Sequence, residues 1–595
     1  MRDLRTPFHL LASPSGERGC GVTDHQEQPD LEEFAAFQKE KAKLDKLRAE
    51  MESASAEDLA AFRAWKESTS ATPPAPRGRG RGGAASGSGE VKMSVADQII
   101  AMADSQYEFG SSEAGDLYAV PKHGPRIARL LRGGRISLRA ELARAYYKLQ
   151  GKAASSSALA DAMLAIEGRA QAEDPVPLHL RVAPLGKRPE HGLVLDLGRA
   201  DGMVVTITRE GWSVAPAAEG QPLFRRSQLT QPLPVPARGG SLKELRGLLN
   251  VTDDSWPLMV SWLVSGMVPG IPHPLLFLSG EQGTAKSTAT KMLVQLIDPS
   301  AAPARSTPKD PDDWATAAVG SWVVGLDNLS RIPEWLSDAM CRAATGDANV
   351  KRTLYSDSDV TVQEFRRVLI VNGIDVGTLR GDLADRMIPV HLDRITQRRT
   401  ETALWEAYHE AHPRILGALL DLLVQVLGKL PAIRERADRG EIPLPRMADY
   451  GLIMAALDEV YGVPEKSILR DYLQQRTELA EEVVESNQVA TQLLVLMKRM
   501  PTRPEDGARI WDGTTAELLD ELTSQVGMTN DKWPRTPGAL SGRINRVASD
   551  LDKLGVDIAR SKSNGKRSLY ITYVPKTEPT APPQQPDPVQ EAIPA

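Results

Sequence analysis

Cysteine is nearly missing from this 595-residue chain. Cys20 and Cys341 alone exclude a disulfide framework and any multi-cysteine zinc ribbon, and they fit a reducing compartment, so a cytoplasmic location is expected. A basic excess is missing too: the formal net charge is −6, and contact with nucleic acid has to come from a local patch rather than the field of the whole protein. Glycine (47) and proline (43) stay below the low-complexity range of ~25–30%, so most of the chain is expected to fold. At roughly 150 residues per domain, the length predicts about four folded units. Met1–Cys20 holds no apolar block long enough for a signal peptide. One segment, Ser255–Gly280, carries no Asp, Glu, Lys or Arg and has the length of a membrane span. Pro257, Pro269, Pro272 and Pro274, with Gly266 and Gly270, instead break it into a buried helix (Trp256–Val264), a loop and an apolar strand (Leu275–Leu278), so no contact with a membrane is expected.

Composition divides the chain. Residues 1–90 hold a charged helical stretch (Asp30–Thr69) and then a Pro-, Gly- and Arg-rich linker whose Arg77, Arg79 and Arg81 are either phosphate contacts or a solubilising tether. Residues 91–236 read as a small α+β domain, with helices at Ser94–Ala103, Leu138–Leu149 and Ser157–Glu167. Strands follow at Leu178–Val182, Leu193–Leu197, Val204–Thr208 and Trp212–Val214. Asp196 and Asp201 read as strand-end and turn residues rather than paired metal ligands. Residues 237–395 carry the main signal, 396–480 a helical lid, 486–574 a third folded unit and 575–595 a disordered tail.

In the main region, an apolar strand (Leu275–Leu278) runs into Ser279-Gly280-Glu281-Gln282-Gly283-Thr284-Ala285-Lys286-Ser287-Thr288 and a helix ending before Asp298-Pro299. Strand, glycine turn, Lys-Ser and helix make a phosphate-binding loop in its proper context. Gly280 and Gly283 let successive N–H groups turn inward, and the helix adds its positive end, so residues Gly280 to Thr288 are expected to cradle a triphosphate. Lys286 is expected at the β/γ phosphates and Ser287 on Mg²⁺. Ala285 stands where the pattern has glycine, and its methyl is tolerated there if the backbone dihedral is right-handed. The alternative is a chance Gly-rich turn.

A second strand, Ser321–Leu326, ends in Asp327-Asn328 about forty residues beyond the lysine, making Asp327 the expected partner of Mg²⁺, through water, opposite Ser287. A third, Arg367–Val371, ends in Asn372, an amide placed to orient the attacking water or simply an Asn-Gly turn. Arg386, with Arg380 behind it, precedes a fourth strand (Met387–Leu392). It is either an arginine finger reaching a neighbouring subunit's nucleotide or an intradomain partner of Asp382 or Asp385.

In this order and spacing, the phosphate loop, Val323-Val-Gly-Leu-Asp-Asn328, Val368-Leu-Ile-Val-Asn372 and Asp382-Leu-Ala-Asp-Arg-Met-Ile-Pro-Val390 resemble the AAA+ ATPase core of superfamily-three helicases and phage primase-helicases. The resemblance covers about 250–395 and extends through the helical lid. It implies a P-loop α/β parallel-sheet core, ATP and Mg²⁺ as ligands, ring hexamers with single-stranded DNA in the pore, and movement on DNA during replication of phages and mobile elements. Two residues depart from the pattern. Asn328 occupies the place of a second acid, and an amide cannot accept a proton, which leaves Glu334 as a weak substitute base. The hairpin at Arg352–Val362 has an acidic tip, Asp357 and Asp359, that repels a phosphate backbone, so Lys351 or Arg352 has to make any contact there.

At the C-terminus, helix Ser486–Met500, strand Arg509–Trp511, a capping box at Thr514–Glu517, helix Pro537–Leu554 and a hairpin about Asn564-Gly565 give the element order of a winged helix. Between Lys532 and Arg567 there are nine Lys/Arg against three Asp/Glu, a local +6 in an acidic chain. Arg543 and Arg546 share one face of the expected recognition helix, and Arg560, Lys562, Lys566 and Arg567 flank the wing, so duplex DNA is the expected partner. The alternative is a protein-interaction module with solvated charges. The combined expectation is a Mg-ATP-dependent ATPase acting on DNA, of helicase type. An ATP-switched DNA-binding regulator with vestigial hydrolysis is the runner-up and a P-loop kinase the third option.

Overall fold

The computed structural model describes residues 93–133, 136–352, 360–373, 381–396, 398–462, 467–527, 533–563 and 566–575. Outside them lie the charged helix and Arg-Gly linker expected over 1–90, including Arg77, Arg79 and Arg81. Arg380, the acidic tip with Asp357 and Asp359, the Asn564-Gly565 turn and the tail from 576 also lie outside.

The described chain opens with helix α1 (Val95–Gln106), strands β1 (Tyr107–Ser111), β2 (Leu117–Pro121) and β3 (Arg129–Leu130), and helices α2 (Leu138–Gln150) and α3 (Ser156–Ala172). Ser94 and Ser155 cap α1 and α3 by accepting from main-chain amides three residues on, which fixes where both helices begin. The antiparallel β1–β2–β3 sheet has no counterpart in the sequence reading. Its strands are short, and Gly110 and Pro121 interrupt the alternation that would have announced them. Strands β4 (Leu178–His179), β5 (Val182–Pro184), β6 (Leu193–Asp196), β7 (Met203–Thr208), β8 (Gly211–Pro216) and β9 (Leu223–Phe224) follow, with β5–β6–β7–β8 forming an antiparallel meander.

This part is fastened to the next by a buried ion pair. Arg181, fully buried, donates to Asp298 at 2.8 Å and to the carbonyls of Asp196 and Gln231, while Asp298 accepts from the amides of Trp322 and Val323. Removing either charge would strand the other in the core.

Helices α4 (Leu242–Arg246) and α5 (Trp256–Gly266) lead to a parallel sheet. Helix α5 is apolar nearly all round and buried, which is the mark of a core helix. The sheet comprises β10 (Leu275–Ser279), β11 (Val323–Leu326), β14 (Val368–Asn372) and β15 (Met387–His391) in the order β11-β14-β10-β15. Its strands are unbroken apolar runs because both faces are covered. Helices α6 (Lys286–Ile297), α7 (Pro311–Val319) and α8 (Glu334–Thr345) and the antiparallel pair β12 (Asp347–Arg352) and β13 (Val360–Phe365) are interleaved, and a short helix α9 (Gly381–Ala384) precedes β15.

Helices α10 (Glu401–Asp438), α11 (Ala448–Tyr461) and α12 (Ile468–Ser486) follow. Among the described residues α10 alone is long and apolar enough to cross a membrane. Its apolar side chains, from Ile415 to Ile433, are buried in the same hydrophobic core as α5 and the sheet. Gly417 within it leaves room for the segment at Ala237: the Ala237 amide donates to the Pro413 carbonyl at 2.8 Å, and a side chain at Gly417 would strike the Ala237 carbonyl.

The last part has its own hydrophobic cluster. It runs α13 (Gln488–Arg499), β16 (Arg509–Gly513), α14 (Thr515–Val526), α15 (Pro537–Lys553), β17 (Val556–Ser563) and β18 (Lys566–Tyr573), with an antiparallel sheet in the order β16-β18-β17. The Thr514/Glu517 capping box is formed, and Thr536 caps α15 with Pro537 at its first position.

Candidate functional site

Parallel strands bring three loop ends to one edge. The register pairs Leu278 with Asn372 and Leu326 with Val371, so Gly280, Asp327 and Asn372 emerge side by side at the carboxyl ends of β10, β11 and β14. Asp327 accepts from Ser287 Oγ at 2.7 Å and from Asn372 Nδ2 at 2.8 Å on the same carboxylate oxygen, Oδ1. Asn372 is buried and its amide is fully engaged: Nδ2 also donates to Thr290 Oγ1 at 2.8 Å, and Oδ1 accepts from the Asn328 amide at 2.8 Å. Asn372 is therefore the brace that holds the Asp327 carboxylate toward helix α6. Thr290, buried on the turn after Ser287, escaped the sequence reading because a threonine inside a helix carries no motif.

The loop from Gly280 to Ala285 wraps the start of α6. Among the described residues no carbonyl accepts from the amides of Gln282, Gly283, Thr284 or Ala285, which leaves a run of main-chain donors beside the helix start. Gly280 and Gly283 have φ of 144° and 87°, and a side chain at Gly280 would meet the Leu392 carbonyl at 2.7 Å. The Lys286 ammonium lies over the loop and donates to the carbonyls of Gly280 and Glu281 at 2.7 and 2.8 Å. Glu281 itself pairs with Arg394.

The condition set for the Ala285 methyl is not met. Ala285 adopts φ 60°, ψ 32°, the left-handed rather than the right-handed region, so the methyl is carried at a conformational cost of roughly 1–2 kcal/mol. Asn328 is left-handed as well (φ 56°), a conformation asparagine accepts more readily, and Gly373 lies so close that a Cβ there would meet the Asn328 backbone at 2.9 Å.

A cavity of about 490 Å³ opens beside the loop, lined by Gly283, Thr284 and Thr288 on one side and by Leu248, Asn250, Ile395 and Leu404 on the other. Arg398 and Arg399 stand at its rim. The apolar wall comes from segments far apart in sequence, which is why no sequence pattern announced it.

The expected arginine finger takes the other of its two forms. Arg386 is buried, forms an ion pair with Asp382 at 2.6 Å and donates to the Asp382 carbonyl at 2.7 Å. Its neighbour Asp385 is a hub. Arg476 of α12 pairs with it at 3.1 Å, Ser549 of α15 donates to it at 2.8 Å, and Lys553 of α15 also pairs with it. Burial works to raise the Asp385 pKa, but Lys553, Ser549 and Arg476 outweigh it and hold the carboxyl below its ordinary value. Nearby Asp550, buried, is pushed up by burial.

The basic residues of the C-terminal part are less uniform than their sequence suggested. Arg543 is half-buried, Arg546 is exposed and faces Glu334 of α8 at 3.9 Å, and Arg560 donates to Asn545. Lys562 and Lys566 are placed by the backbone near the β17–β18 turn, with Lys562 opposite Arg567. Glu334, the substitute base of the sequence reading, is exposed at the start of α8 in the company of Arg546.

Residues 242–478 match the model of a family described as actinomycete integrative conjugative element replication protein, and residues 489–585 match that of its C-terminal domain, the AICE RepA C-terminal domain. Two stretches of the chain thus resemble replication proteins of this family. The match supports a role in DNA replication, and the loop, Asp327, Asn372 and Asp385 all fall within the first matched stretch. No curated protein matches the chain. Among solved structures, the apo NrS-1 C-terminal region (305–718) aligns over 81% of this chain and 98% of its own at 11% identity and a TM-score of 0.33. A DNA polymerase III gamma subunit-related protein from Thermotoga maritima aligns over 49% and 99% at 11% identity and a TM-score of 0.17. Likenesses this low carry no argument about the fold.

Proposed function

We propose that this chain is a Mg-ATP-dependent ATPase of the AAA+ type acting on DNA, a helicase or helicase-like protein of a mobile element. The observation that carries the reading is the Ser287–Asp327–Asn372 cluster beside a loop of unengaged amides. A hydroxyl and a carboxylate oxygen 2.7 Å apart are the hard donors that Mg²⁺ takes alongside phosphate oxygens, so the residues present fit the ion. Bound there, Mg²⁺ would neutralise charge on the terminal phosphates.

The chain's own part is positional. Amides 282–285 and the first turn of α6 receive the phosphates, and Lys286, already over the loop, moves its ammonium from carbonyl oxygens to a phosphate oxygen. Asn372 keeps Asp327 turned toward Ser287. The adjoining cavity, with Leu248, Ile395 and Leu404, is sized and surfaced for a nucleobase. The winged-helix order of 488–573 and its basic hairpin provide a duplex-DNA surface, and assembly into a ring is part of the same proposal.

Asn328 favours a second reading, an ATP-switched DNA-binding regulator with little hydrolysis, because no proton acceptor stands at that position. Turnover of Mg-ATP by the wild type and Lys286→Ala, with and without forked DNA, separates the two. The motor reading expects turnover stimulated by DNA and lost in the variant; the switch reading expects ATP-dependent duplex binding at near-zero turnover. Calorimetry that finds no Mg-ATP uptake by the wild type would defeat both.

A further inference from the structure

A second cleft lies in the α+β part and shares no lining residue with the phosphate loop. It has a volume of about 690 Å³ and runs between β3, the start of α2 and the segment after β9. Arg129, Arg132, Arg144, Arg225 and Arg226 all line it. The sequence around it is as one-sided: from Lys122 to Lys152 there are nine Lys/Arg and a single acid, Glu141, in a chain whose overall charge is −6.

Some of these cations are committed to the fold. Arg129 pairs with Glu141, Arg132 with Glu167 and Arg226 with Asp196. Others are not. Arg144 and Lys148 are exposed on α2, and among the described residues no acid pairs with either. They lie four residues apart, on the helix face that Ser137, Glu141 and Arg144 present to the cleft. Tyr147, one turn on from Arg144 and flanking the face that Arg144 and Lys148 share, is 57% exposed, and Ile136 in the cleft lining is 52% exposed. A solvated charged helix face does not require a large aromatic ring in water beside two unpaired cations. A surface that grips a phosphodiester backbone and stacks an unpaired base uses this combination.

We infer that the cleft between β3 and α2 is a single-stranded DNA site in which Arg144 and Lys148 hold backbone phosphates and Tyr147 stacks a base. Single strands are favoured over duplex because the aromatic ring has a partner only where bases are unstacked. The site does not depend on the ATPase proposal, since none of its residues touches the phosphate loop.

The test uses the full-length chain and a fluorescein-labelled 30-nucleotide oligo-dT, with anisotropy read across a salt series. Arg144→Ala combined with Lys148→Ala is expected to weaken binding roughly tenfold at moderate salt. It should also lower the slope of log affinity against log salt by about 1.4, the loss of two single-strand phosphate contacts. Tyr147→Ala is expected to weaken binding at least about fivefold with the slope unchanged, as loss of stacking without loss of charge. Because these side chains are exposed, the variants should keep the wild-type unfolding profile, and Lys187→Ala, an exposed lysine between β5 and β6 that does not line the cleft, serves as a charge-removal control that leaves oligo-dT affinity unchanged. Unchanged affinity and slope in the double variant would overturn the assignment, as would a loss confined to duplex DNA.

Discussion

Replacing Ala285 by glycine is expected to stabilise the protein, although glycine has more conformational freedom to lose on folding. Ala285 sits at φ 60°, ψ 32° immediately before α6. An L-residue with a methyl loses roughly 1–2 kcal/mol in that region, whereas glycine enters it freely. Against this stands the larger conformational entropy of glycine in the unfolded chain, roughly 0.4–1 kcal/mol. The balance is a gain of about 0.5–1 kcal/mol for Ala285→Gly. Ala285→Val should go the other way by ~1 kcal/mol or more, because a β-branched side chain tolerates a positive φ least. Asparagine, which accepts the left-handed region, should fall near alanine or slightly above it. Urea unfolding followed by tryptophan fluorescence, without nucleotide, gives the order of midpoints. An order in which valine equals or exceeds glycine would show that the loop is not left-handed at this residue and would refute the strain argument.

Other outcomes follow from the same geometry. Asn372→Asp puts a second carboxylate where Nδ2 now donates to Asp327 at 2.8 Å; repulsion and the lost brace should cost about 1–3 kcal/mol in unfolding experiments and remove Mg-ATP turnover. Asn328→Asp, at a left-handed position aspartate tolerates, should raise ATP turnover if a missing proton acceptor limits hydrolysis, and steady-state phosphate release reads it directly. Asp385→Ala leaves Arg476 without its carboxylate and Lys553 with Asp550 alone, and should cost ~3–5 kcal/mol, visible as early proteolytic release of the part that follows residue 487. Buried His273 and His412 are held down to about 3 and about 4, chiefly by burial. Both stay neutral in the fold while the unfolded chain protonates near 6.5, so stability is full above that pH and falls as pH drops from 6.5 toward 4. By pH 5 each should have cost about 2 kcal/mol, measurable as a falling urea midpoint.

What could be read in the sequence was whatever is encoded locally. Apolar runs ending in Gly280, Asp327 and Asn372 placed three strand ends, and the Thr514/Glu517 box placed a helix start to the residue. Legibility failed where the third dimension decides. The sequence offers two equal uses for Arg386, and only the fold, which buries it against Asp382, chooses between them. Thr290 becomes part of the site because α6 turns it toward Asn372. The nucleobase-sized cavity joins Leu248 to Leu404 across more than a hundred and fifty residues. The handedness at Ala285 stayed a condition in the sequence, and the surrounding loop imposes the rare left-handed region. The basic run at Lys122–Lys152 was present in the letters all along, but its arginines gained meaning only when β3 and α2 gathered them round one cleft.

The anchoring of Ser549 and Lys553 on Asp385 bears on how this protein can be dissected. A fragment that stops at residue 487 looks self-sufficient by its hydrophobic clusters, yet it would expose an acid whose lysine and hydroxyl were left on the other piece. Anyone preparing the two halves separately should expect Asp385 to keep Arg446 and Arg476 on the amino-terminal piece, while Lys553 on the other piece is left with Asp550 alone.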